Sequence, residues 1–96
     1  MTLLTSRADV ATDAAARYAK QLAAHLGRRA QVVPEADGER IVVGDGSCLL
    51  VPGETALVLR AQAPSQESLA RVQDVVGSHL ERFGQRNELV VSWQPG

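Results

Sequence analysis

The sequence predicts an α+β fold: a two-layer sandwich with a mainly antiparallel sheet, two helices on one face, and the order β-α-β-β-β-β-α-β. Three observations carry this. Two segments place apolar residues at steps of three and four, the spacing of an amphipathic helix. Several shorter runs alternate apolar with polar residues or are briefly apolar throughout, as strands do. Turn residues then recur at hairpin intervals, at Asp37-Gly38, Gly44-Asp45-Gly46 and Pro52-Gly53. Connections that short make the four middle strands an antiparallel meander. The 96 residues form one domain, 1–96, with no linker, repeat or low-complexity segment.

Each element has its own local reason. From Leu4 to Val10, Leu4, Ser6, Ala8 and Val10 alternate with Thr5, Arg7 and Asp9, the pattern of a half-buried strand. Thr12 is placed to cap a helix of strong formers running from Asp13 to Leu26, with Ala15, Tyr18, Ala19, Leu22 and Leu26 inward. Gly27 stops it, and Arg28 and Arg29 sit near the negative end of its dipole. Ala30 to Pro34, Glu39 to Val43, Ser47 to Val51 and Ala56 to Ala63 read as four strands. Ser65 is an N-cap for a second helix, with Glu67 in its first turn and Arg82 in its last. Leu69, Val72, Val76, Leu80 and Phe83 form its stripe, and Gly77 within it implies close packing. Glu88 to Trp93 is the last strand, and Phe83 and Trp93 are expected to anchor the core.

Composition removes several function classes. The chain is 45% hydrophobic and 22% charged, a globular balance. A formal net charge of −1 gives no long-range field for nucleic acid or an anionic membrane. Tyr18, Phe83 and Trp93 are too few for a base-stacking platform. Cys48 is the single cysteine, so no internal disulfide or cysteine-based zinc cage forms. No run approaches the ~20 apolar residues of a membrane span, and no signal peptide opens the chain; a cytoplasmic location is the expectation.

Four blocks carry a family resemblance: the helix end Tyr18 to Gly27, the strand Gly46 to Leu50, the helix Asp74 to Phe83, and Glu88 to Trp93. Together they make the chain similar to the small bacterial domain-of-unknown-function family 2218 over nearly its whole length. Some relatives look to be joined to, or found beside, siderophore-interacting flavin reductases, so the resemblance implies a place in iron–siderophore metabolism. Relatives often place a second histidine a few residues after the one matching His25. Here that stretch reads Gly27-Arg28-Arg29, so the resemblance implies no local histidine cluster.

Chemistry-bearing residues are sparse. His25 and His79 each fall in the last turns of a helix, where a cation meets the dipole. Antiparallel helices would put them at opposite ends of the domain, so neither a metal nor a cofactor is expected. Cys48 lies in an apolar strand without a neighbouring base, the setting of a packing residue. Arg82 and Arg86 offer a grip for a carboxylate or a partner. On the sheet face away from the helices, Val58 and Val90 interrupt a polar surface beside Arg60. That face is the expected contact for a second copy or a partner domain. The leading expectation is a non-catalytic accessory module binding a partner protein or small ligand. One alternative is a small enzyme or metal-binding protein using His25, Cys48 or His79, and another is a purely structural dimerising domain.

Overall fold

The computed structural model describes residues 3–85 and 89–96. Its elements are β1 (Leu4–Ala11), α1 (Ala15–Leu26), β2 (Val32–Glu35), β3 (Gly38–Val43), β4 (Gly46–Pro52), β5 (Ala56–Ala63), α2 (Gln66–Phe83) and β6 (Gln94–Pro95). The predicted α+β order therefore holds. The strands form one sheet in the order β2-β3-β4-β5-β1-β6, with every neighbouring pair antiparallel.

That order explains the two layers. β1 and β2 are parallel to each other across three intervening strands, and α1 is the crossover between them. β5 and β6 are parallel across β1, and α2 joins them. The two crossovers travel in opposite directions from strands of opposite sense. A right-handed path for each puts both helices on the same face. The core is accordingly single: Ala8, Val10, Ile41, Cys48, Leu50, Leu57, Leu59 and Ala61 of the sheet meet Tyr18, Leu22, Leu69, Val72, Val76 and Leu80 of the helices. Ser6 is the polar member of this inner face, and it accepts a 2.8 Å hydrogen bond from Gln73 Nε2 on α2.

Local chemistry sets the boundaries. Ser65 Oγ accepts the Ser68 N–H at 3.1 Å, which fixes the start of α2. Thr12 is not the cap expected of it: Ala14 holds that position without a side-chain bond, α1 begins at Ala15, and Thr12 Oγ1, two residues before the cap, accepts the Ala14 N–H. Gly44 has φ +60, as the two-residue turn between β3 and β4 requires.

Two features differ from the sequence reading. The last strand is short and late. Val91 N–H donates to Glu81 Oε2 at 3.0 Å, and Val91 and Trp93 pack over Gly77, so this stretch lies along α2 before the chain joins β1. Glu88, the expected start, lies outside the described residues. Phe83 and Trp93 are half-buried against the core, whereas its fully buried large side chains are aliphatic, among them Leu22, Ile41, Leu50, Leu57 and Leu80.

Candidate functional site: a basic cleft at the helix ends

The two histidines meet within one chain. The rings of His25 and His79 lie 5.2 Å apart between centroids, and Phe83 makes an edge contact to His25 at 5.1 Å. This corrects the expectation that antiparallel helices separate them. Because β2 lies at the far edge, beyond β5, β4 and β3, α1 has to cross these strands as it returns, and it packs on all three. Its C-terminal turn thus arrives at the later turns of α2.

Beside the histidines the surface opens into a cleft of about 530 Å³. Leu26, Ala30, Val42, Val43 and Val75 give it apolar walls, and His25, Arg28, Arg29 and His79 supply the polar groups. The loop after α1 is held in place by its backbone: Arg29 and Ala30 N–H donate to the Leu26 carbonyl, and Val42 N–H donates to that of Gln31. These bonds satisfy the end of α1 and present two arginines at the rim. Neither arginine pairs with an acid among the described residues. Arg71 reaches towards the same rim, its Nη1 4.0 Å from where a Cβ on Gly44 would lie. The α1 dipole brings about half a negative charge here, which the two guanidiniums outweigh.

His79 Nδ1 is 2.6 Å from the Val75 carbonyl oxygen. A carbonyl only accepts, so Nδ1 carries the proton and Nε2 of the neutral ring keeps its lone pair. The pair supplies at most two of the four ligands of a zinc site. Among the described residues no group of three or more His, Cys, Asp or Glu converges.

The other expected residues lie apart from this cleft. Cys48 is fully buried on the inner face between Ile41 and Ala61. Burial pushes its thiol up to about 12, so the nucleophilic thiolate is suppressed. Val58 is half-buried and Arg60 exposed on the outer sheet face. Val90 is 67% exposed and belongs to no strand, so it does not share that face as expected. Arg82 is exposed on the last turn of α2, and Arg86 lies outside the described residues. Arg28 and Arg29 had signalled only helix capping in the sequence; their partners in the cleft, Val42, Val43 and Val75, come from other elements.

Fold and site together define a small open-faced α+β domain with a half-apolar, basic cleft. The family model for an uncharacterized protein conserved in bacteria, DUF2218, matches residues 7–94, and the chain belongs to that family. Among solved structures it is similar to the NMR structure of PA4090 from Pseudomonas aeruginosa, with 33% identity and a TM-score of 0.74. That match covers 99% of this chain and 97% of the other. No protein of curated function matches. Among the described residues no helix is long and apolar enough to cross a membrane.

Proposed function

We propose that the chain is a non-catalytic accessory module that binds a small organic anion in the cleft beside His25 and His79. The observation that carries this is the pairing of apolar walls with two arginines that have no acidic partner among the described residues. Such a surface suits a ligand with an apolar or aromatic body and one or more acidic oxygens. The walls take the body and the planar guanidiniums grip the oxygens. Iron–siderophore handling, which the family resemblance implies, is a setting that supplies ligands of this chemistry. The non-catalytic reading is supported by the Cys48 thiol, which burial suppresses and which lies apart from the cleft.

The test is isothermal titration with 2,3-dihydroxybenzoate, an aromatic carboxylate with two phenolic oxygens. Binding to the wild type is expected, and it should weaken about tenfold or more in Arg28→Gln/Arg29→Gln, the loss of one or two charge-assisted hydrogen bonds. Benzamidine, an unsubstituted phenyl ring bearing a positive group in place of the carboxylate, should not bind. No heat with the acid, or equal affinity in the double variant, would remove this reading.

A further inference from the structure

The sheet face opposite the helices carries an arrangement that folding alone does not explain. The strand register aligns Arg40, Leu49, Arg60 and Arg7 on four successive strands, since Leu49 pairs with both Arg40 and Arg60, and Arg60 pairs with Arg7. All four share the outer phase. Leu49 is nonetheless buried to 6% exposure. Arg40 and Arg60 stand beside it on the two neighbouring strands, and long arginine stems are suited to cover such a residue. The three arginines and Leu49 line a depression of about 300 Å³ together with Thr5, Gln62 and Gly96.

The charges here do not cancel. Arg7 Nε donates to Asp9 Oδ1 at 2.8 Å, and Arg40 is paired with Glu35. Arg60 has no acidic partner among the described residues, yet it stands directly across from Arg7. Like charges directly opposed across two strands are destabilising. Among the side chains, three guanidiniums against two carboxylates leave one positive charge. A hydroxyl holds part of the row in place, since Arg40 Nη1 donates to Ser47 Oγ at 3.0 Å. Thr5 and Gln62 add further polar groups at the floor.

We propose that this row is a second binding site, for a multivalent oxyanion. Neighbouring strands are ~4.8 Å apart, so a single oxyanion group fits between Arg60 and Arg7. Arg40 lies two strand spacings from Arg60, ~10 Å at the backbone, within reach of a second anionic group on the same ligand. Two classes of ligand have this chemistry, a condensed phosphate and a polycarboxylate. The unpartnered Arg60 and the opposed pair are relieved by either.

Thermal unfolding tests this, with pyrophosphate or citrate added at an ionic strength held constant with sodium chloride. The wild-type midpoint should rise with at least one of the two anions beyond the chloride control, and the one that acts names the class. Arg60→Gln should keep the fold by its amide NMR spectrum and lose most of that rise, at least a fivefold reduction. Lys20→Gln removes the same charge from the exposed side of α1 and should keep the rise in full. Equal midpoints in chloride and in both anions would overturn the proposal, as would a rise retained in Arg60→Gln or lost equally in Lys20→Gln.

Discussion

Raising the pH should destabilise this protein through one buried thiol. Cys48 is fully buried between Ile41 and Ala61, and burial lifts its titration to about 12; the nearby Arg60 backbone and Arg40 charge pull it down only in part. In the unfolded chain the same thiol titrates near ~8.5. Between these values the unfolded state releases a proton that the folded state retains. Stability therefore falls as pH rises above ~8.5, by about 1.4 kcal/mol per pH unit. At pH 10 the loss is about 2 kcal/mol, set by the unfolded thiol alone as long as the folded thiol stays protonated. For a domain whose whole stability is on the order of 5–14 kcal/mol, that is measurable. Urea denaturation of the wild type and of Cys48→Ala from pH 7.5 to 10 isolates the effect. Tyrosine, lysine and other shared groups cancel in the difference, and the cavity left by the truncation adds a pH-independent offset. The difference between the two proteins should change by about 2 kcal/mol over this range. A difference that stays flat means the folded thiol ionises as readily as the unfolded one, and the inward placement of Cys48 is then wrong.

Three further outcomes follow from particular contacts. Gly46→Ala should destabilise by about 1–3 kcal/mol in chemical denaturation, because a Cβ there would lie 2.7 Å from Val72 Cγ2 and 2.9 Å from the Gln62 carbonyl oxygen. Ser65→Ala should cost about 1 kcal/mol and lower amide-exchange protection in the first turn of α2, where Ser65 Oγ accepts the Ser68 N–H; unchanged protection would mean that the helix starts elsewhere. On the acid side, the Arg40 hydrogen bond holds the Glu35 carboxyl below its usual range, so its contribution is present above the unfolded carboxylate range and fades as pH falls through the folded one. Glu35→Gln should flatten that part of the stability–pH curve, and an identical acid limb in both proteins would contradict it.

What was legible in the sequence was whatever depends on neighbours along the chain. The stripe Leu69, Val72, Val76, Leu80, the cap at Ser65 and the turn at Gly44 are local, and each is found where its spacing puts it. The family, too, was readable from blocks of residues. What was hidden depends on strand order and register. The meeting of His25 and His79 follows from α1 having to reach a strand three places beyond its neighbour, and no local pattern encodes that order. Leu49 reads as an exposed apolar residue until the register sets Arg40 and Arg60 on either side of it. Leu89, Val91 and Trp93 alternate with Val90, Ser92 and Gln94 like a strand, but the Glu81 carboxylate captures the Val91 N–H that a ladder would have used. The cleft was missed for the same reason: Arg28 and Arg29 gain a role only when β3 and α2 bring Val42, Val43 and Val75 beside them.

The binding of a small organic anion at the helix ends is tested most directly by amide and imidazole NMR shifts of the wild-type protein titrated with 2,3-dihydroxybenzoate. Saturable shifts should cluster at His25, Arg29, Ala30, Val43 and His79, residues that line one cleft though they come from four parts of the chain. Thr5, Arg60 and Gln62 on the opposite sheet face should stay still. Shifts confined to that opposite face, or none at all at millimolar acid, would contradict the assignment of the cleft as the ligand site.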